Sequence, residues 1–369
     1  MKKFVERLLA RGWHRNVSIV AIAYLLAIGG ASVAVASSSS GSHLRPIHST
    51  SSQHRTGKER ATKPTSARVT PSPSATPTAT PAPSATPATP VTTPVTAPPP
   101  PANRVAPPVT NSGWPDGSNT GVPVGTRLTA SPGLTITTAG TVINALDIDG
   151  DVVVRASNVT IRNSRISGRV DNGDQNAYKN TVIQRSEVIG PYDAKADQGI
   201  AGVGFTGYTC DGCNVRGWGK GFGMSADVTI KNSWVHDIVV FGDPANGGSH
   251  NEAILSLGGT NLTILNNRLD AGDAPNASAS LALYSQWEAY KNVLVQGNLF
   301  DGGGYCLYAG LGGSYGASNT KFINNTFGTK YSPRCGWYGP AVAYDPGNGN
   351  QWTGNVMQSG AAVDTPGRG

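Results

Sequence analysis

The chain has 369 residues, with 29 Lys and Arg against 22 Asp and Glu, a formal charge of +7 and a pI near 9.2. That average joins two unlike parts: residues 1–113 carry 12 basic and 2 acidic side chains (+10), and residues 114–369 carry 17 and 20 (−3). The high pI is thus no argument for a polyanionic partner of the C-terminal part. With 16 of 26 prolines in 37–113 and 41 of 47 glycines after residue 113, the composition predicts one ordered domain of 256 residues behind an extended lead.

The chain opens with Lys2, Lys3, Arg7, Arg11 and Arg15, then an apolar run over 17–36 whose only polar residues are two serines and Tyr24. This reads as an export signal. As a helix the run would be ~30 Å long, enough to span a bilayer, and it ends in Ala34-Val-Ala36, the small-x-small pattern cut by signal peptidases. A cleaved signal peptide and an uncleaved membrane anchor over 1–36 both fit, and either makes the remainder secreted or cell-surface. No adjacent arginine pair marks the twin-arginine route, so export is expected unfolded and without a bound cofactor.

Residues 37–113 are Ser, Thr, Pro and Ala with scattered basic side chains and almost nothing large and apolar. They cannot bury a core. Their proline density favours polyproline II at ~3 Å per residue, a semi-rigid disordered linker suited to carrying a domain through a cell wall. The basic cluster over 55–68 lacks interleaved aromatics, so no nucleic-acid partner is expected. Cleavage after Ala36 would leave a mature charge of +3, from +6 on the linker and −3 on the domain.

After Trp114 the chain repeats itself. The unit is two or three β-formers, then Asn or Gly, then two residues, then an aliphatic or Phe: Thr160-Ile-Arg-Asn163-Ser-Arg-Ile166, Thr229-Ile-Lys-Asn232-Ser-Trp-Val235, Thr263-Ile-Leu-Asn266-Asn-Arg-Leu269, Leu294-Val-Gln-Gly297-Asn-Leu-Phe300 and Lys321-Phe-Ile-Asn324-Asn-Thr-Phe327. Weaker copies end at Ile148, Val188, Val215 and Met357. The spacing averages about 26 residues and varies by insertion, which rules out the hexapeptide left-handed coil. Seven of the nine copies punctuate with Asn163, Gly212, Asn232, Asn266, Gly297, Asn324 or Gly354, residues that tolerate a left-handed backbone. Each unit reads as short strand, sharp bend, short strand. A further set of apolar runs lies between the copies, including 151–154, 199–203, 221–224, 253–257, 280–283, 305–308 and 341–344. Three short strands per unit, stable only when paired with the next unit, predict an all-β, single-stranded parallel β-helix solenoid of about nine coils, ~43 Å long at ~4.8 Å per coil.

Over residues 126–357 this pattern resembles the right-handed parallel β-helix of the pectate-lyase-like superfamily. The bend asparagines look like that superfamily's asparagine ladder; a β-sandwich or propeller would not account for them. The resemblance implies a polysaccharide lying over the first strands, the runs between the copies, walled by the loops beside them. The long loops here, 189–198, 236–252, 270–279 and 328–340 before first strands and 285–291 and 310–319 after them, would all border one face. Departures are plain, however. The polygalacturonase-like motifs (Asn-Thr-Asp, an Asp pair, Gly-His-Gly, Arg-Ile-Lys) are absent, as are the pectate lyase signatures, so pectin activity is not inherited from the fold.

The loop Phe241-Gly-Asp-Pro-Ala-Asn-Gly-Gly-Ser-His250-Asn-Glu252 brings a histidine and two carboxylates to the start of a first strand. His250, Glu252 and Asp243 are the candidate catalytic residues, a carboxylate and imidazole sharing general acid and base work. If Ala253, Leu255 and Leu257 face inward, Glu252 and Ser256 face outward. Tyr284, Tyr308 and Tyr344 recur near first-strand ends, and Trp218, Trp287, Tyr290, Tyr315, Trp337 and Tyr338 lie in flanking loops, a set suited to sugar rings. Lys220, Arg216 and Arg334 are available bases or anchors. Calcium is a possible cofactor, with carboxylates in Asp147-Ile-Asp149-Gly-Asp151, Asp193 with Asp197, and Asp270 with Asp273; turn or capping roles are the plainer reading of each, and no metal site is assigned. Outside the cytoplasm the four cysteines should be oxidised, as Cys210–Cys213 across a bend and Cys306–Cys335 between a first strand and a loop. The expected protein is a monomer that degrades a polysaccharide as a lyase or hydrolase, or alternatively a non-catalytic glycan-binding or adhesin module on a stalk.

Overall fold

The computed structural model describes residues 113–173, 175–193 and 200–368. The export segment, the linker as far as residue 112, and Asp197 lie outside them. The described residues form a sheet of 24 strands, all of whose strand pairs are parallel, with a single 3-10 turn and, among the described residues, no helix long and apolar enough to cross a membrane. The all-β architecture is that of a long parallel sheet compatible with a β-helix.

Three ladders run through it. The second-strand ladder, before the bends, passes from Val142–Asn144 through Thr160–Arg162, Thr181–Gln184 and Tyr208–Asp211 to Gln351–Thr353. The third-strand ladder, after the bends, aligns the closing position of every repeat copy: Ile148, Ile166, Val188, Val215, Val235, Leu269, Phe300, Phe327 and Met357 pair one to the next in register. All but Met357 in that column are fully buried. Each such side chain removed from water contributes ~1.5–3 kcal/mol, so the column alone accounts for much of the drive to stack. The first-strand ladder takes Val170–Gly173, Val203–Phe205, the start of Lys220–Lys231, the start of Asn251–Leu265, Ala277–Leu283, Tyr305–Ala309 and Gly339–Val342. Its Val170–Gly173 member went unread in the sequence, because Val170-Asp-Asn-Gly173 holds one apolar residue.

All nine bends are left-handed, with φ of 49° at Asn163, 50° at Asn232, 52° at Asn266 and 53° at Asn324. The two copies without Asn or Gly bend in the same way, at Ala145 (φ 54°) and Arg185 (φ 43°). An alanine pays about 1–2 kcal/mol for that conformation, more than glycine loses in chain entropy. Ala145→Gly is therefore expected to raise stability by about 0.5–1 kcal/mol, read as a higher midpoint in thermal or denaturant unfolding.

One expectation about the ladder is corrected. The continuous interior ladder lies one residue beyond the bend, where Asn267, Asn298, Asn325 and Asn355 are buried and each amide donates to the next at 3.0 Å. Ser164, Ser186 and Ser233 occupy the same place in earlier copies and accept backbone N–H groups. The bend asparagines form exposed links outside, such as Asn266 to Asn232 at 2.9 Å. A further exposed run precedes the second strands: Asn319 donates to Asn292, Asn292 to Asn261, and Asn261 to Asp227. Both expected disulfides are present. Cys210 takes the place of an isoleucine in the column Ile161–Ile183–Cys210–Ile230, and Cys213 takes the ladder place.

Candidate functional site on the first-strand ladder

The first strands do not alternate simply. Phe222, Ile254, Leu281 and Leu307 pair in register and enter the main core together with Ala253, whereas Leu255 joins Ala279 and Ala282 in a separate cluster. Leu257, Tyr284 and Tyr308 pack on that second cluster. The expectation that Ala253, Leu255 and Leu257 share the inward face is thus corrected: of the three, only Ala253 belongs to the main core, and a bulge beside Glu252 shifts the register.

Glu252 pairs in register with Lys220 on one side and Ala279 on the other. It is 1% exposed, and neither carboxylate oxygen makes a hydrogen bond. Burial pushes its carboxyl above the ordinary range, Lys220 pulls it partly back, and Ser278 lowers it slightly without reaching hydrogen-bond geometry. Lys220 is buried as well, and its Nζ donates to the His250 carbonyl at 3.2 Å. His250 is half-buried, and desolvation followed by the Lys220 charge holds its imidazole below the ordinary value. The charge that both groups feel is Lys220, in place of the expected direct carboxylate–imidazole pair.

Asp243 is drawn away from this group. It caps the 3-10 turn Pro244–Asn246, accepting from the Ala245 N–H at 2.9 Å and from the Asn246 amide at 2.5 Å. Asn251 ties the following strand down by donating to the Gly219 carbonyl at 3.1 Å, while its Oδ1 has no hydrogen-bond partner.

The aromatic candidates separate into two sets. Tyr284 and Tyr308 lie 4.9 Å apart between ring centroids, Tyr308 lies 5.6 Å from Tyr305, and Tyr305 lies 5.7 Å from Tyr338. Tyr305 and Tyr308, the middle two of this run, line a shallow depression of about 620 Å³ together with Leu311, Gly312, Gly313, Val342, Ala343 and Arg368. Burial, then the neighbouring Tyr305 and the Glu252 charge, raise the Tyr308 phenol, which therefore stays neutral. Trp287 and Tyr315 are exposed on one flank, where the Tyr315 N–H donates to Ser285; Trp337 and Tyr338 are exposed on the other, held by donation to the Gly303 and Gly304 carbonyls. Arg334 reaches back along its own loop to the Trp337 carbonyl.

Tyr344, expected beside Tyr308, is instead a core residue stacked near Phe322 and Trp352. Trp218 and Tyr290 are buried too, with the Tyr290 hydroxyl donating to the Ser256 carbonyl at 2.8 Å. Sequence reasoning passed over Tyr305 and Arg368. A Tyr three residues before Tyr308 in the same run was the available signal for the first; nothing local marks the second.

Three of the calcium candidates are engaged otherwise. Asp147 pairs with Arg165 at 3.6 Å, Asp151 accepts from the Arg169 N–H, and buried Asp270 pairs with Arg268 at 3.1 Å and Lys330 at 3.5 Å. Among the described residues no group of three or more His, Cys, Asp or Glu side chains could hold a metal ion. Arg216 is bound to Glu187 at 3.2 Å, away from this face.

Comparison of the chain with protein-family models, curated proteins and solved structures finds no match. The superfamily resemblance accordingly rests on the repeat and the parallel ladders.

Proposed function

We propose that the described residues wind as a right-handed, single-stranded parallel β-helix of about nine coils, and that the chain is an extracellular protein acting on a polysaccharide along its first-strand face. The observation that carries the reading is the run Tyr284–Tyr308–Tyr305–Tyr338, whose middle rings line a shallow depression on the same ladder as the buried carboxyl of Glu252, two strands along. Sugar rings are apolar on their faces and polar at their rims, so phenol rings, apolar on the face and hydroxyl-bearing at the edge, match them. Glu252 is the proton-transfer group in this reading. A carboxyl whose pKa burial raises is suited to act as a general acid toward a glycosidic oxygen, and Lys220 lies beside it on the neighbouring strand. The export signal and the proline-rich linker are consistent with work at or beyond the cell surface.

One observation favours a second reading, a non-catalytic glycan-binding module: both Glu252 oxygens are sealed from solvent. A reducing-sugar assay, together with ultraviolet detection of unsaturated products, over neutral and acidic polysaccharides separates the two. Turnover that drops at least about a hundredfold in Glu252→Gln supports the enzyme. Turnover untouched by that substitution removes Glu252 from catalysis, and binding without turnover selects the module.

A further inference from the structure

We propose that the polymer taken by the tyrosine-bordered groove is uncharged, held by ring stacking and hydrogen bonds, not by ion pairs; this rests on the reading of the groove as a glycan site. Its charges are few. Arg368 is the one charged residue lining the depression, and it is paired with Asp345 at 2.9 Å. On the adjoining loop Arg334 is turned onto the carbonyl of Trp337, whose indole donates in turn to the Asp273 carbonyl. Lys220 is buried on a strand outside the depression's lining, its Nζ donating to the His250 carbonyl.

A polyuronate would bring a carboxylate with every sugar. Each would need a cation or a set of N–H donors on leaving water, or else cost several kcal/mol. The tyrosine run offers rings and phenol hydroxyls instead. A polyanion would also approach a domain of net charge −3, so the long-range field opposes it. A neutral polymer meets none of these costs, and each stacked ring contributes ~0.5–1.5 kcal/mol.

The test is affinity electrophoresis or titration calorimetry of the full chain against a neutral β-glucan, a mannan and an arabinan, and against polygalacturonate and alginate, each at about 50 and about 500 mM NaCl. The expected result is binding to a neutral polymer with Kd changing less than about twofold between the two salts, and weakening about tenfold in Tyr338→Ala and in Tyr308→Ala. Tyr338 is an exposed side chain, so that variant folds whatever Tyr308→Ala does. Binding to a polyuronate that loosens at least about tenfold in high salt overturns this inference and leaves the glycan groove standing. Binding to a neutral polymer that neither tyrosine variant affects also overturns it. Retention by no polymer overturns the inference and the groove reading together.

Discussion

Asn298→Ala is expected to cost about 2–3 kcal/mol of folding stability and to lower the unfolding midpoint by ~5–10 °C. The side chain sits wholly buried in the interior ladder. Its Oδ1 accepts both the backbone N–H of Asn267 at 2.9 Å and that residue's amide at 3.0 Å. Its Nδ2 donates to the Ile264 carbonyl at 2.9 Å and to Asn325 Oδ1 at 3.0 Å. Truncation strips the buried Asn267 N–H of its acceptor and takes a donor from the Ile264 carbonyl, at ~1–3 kcal/mol for a group left unpaired, while Asn325 Oδ1 keeps the backbone N–H of residue 298 and the Asn267 amide keeps the Ile230 carbonyl. Two comparisons sharpen the expectation. Asn298→Ser should cost about half as much, because serines already serve this position at 164, 186 and 233. Asn266→Ala, one residue earlier, loses an exposed link and places alanine at φ 52°, for about 1–2 kcal/mol. Calorimetric unfolding of the three variants decides the matter. Equal losses at 266 and 298 would contradict the assignment of the supporting ladder to the interior.

That contrast also marks how far the sequence could be read. The closing aliphatic of each copy was legible, because a buried column tolerates only large apolar side chains and the spacing exposed them even through insertions. The bend was legible wherever Asn or Gly filled it, but Ala145 and Arg185 gave no signal, since those residue types say nothing about a left-handed backbone. The choice between Asn266 and Asn267 was not available from composition: both places favour asparagine, one for its backbone and the other for its amide. In the site, register decided what pattern could not. Tyr308 pairs with Val342, so Tyr344 lies two residues past its partner, beyond the strand end, and turns into the core. Asp243 looked like a catalytic neighbour by distance along the chain, yet the proline after it makes it a cap. Lys220 lies thirty-odd positions from Glu252 in sequence and directly beside it across the ladder.

Glu252→Gln is expected to give a protein that is more stable than the parent at neutral pH and devoid of its proton-transfer chemistry. In the unfolded chain the carboxyl titrates near its ordinary 4.5; in the fold burial raises it, and Lys220 only partly opposes the rise. The native state therefore holds the proton more tightly than the unfolded state. Its contribution to stability is whole below about 4.5 and is lost as pH climbs through the raised native value. Glutamine keeps the shape and needs no proton, so the variant should match the parent near pH 4 and exceed it increasingly as pH rises toward 7, read as a higher unfolding midpoint. Lys220→Met should act in the opposite sense, removing the attraction that favours the charged form and steepening the loss of stability with pH. Denaturant unfolding across pH 4–8 for the three proteins measures this without any substrate. A Glu252→Gln curve parallel to the parent's at every pH would mean that the carboxyl is not held neutral. Its role as a general acid would then fail on physical grounds, whatever the polysaccharide. A divergence above pH 5 joined to lost turnover would instead identify Glu252 as a group kept at a cost to stability because the reaction requires its proton.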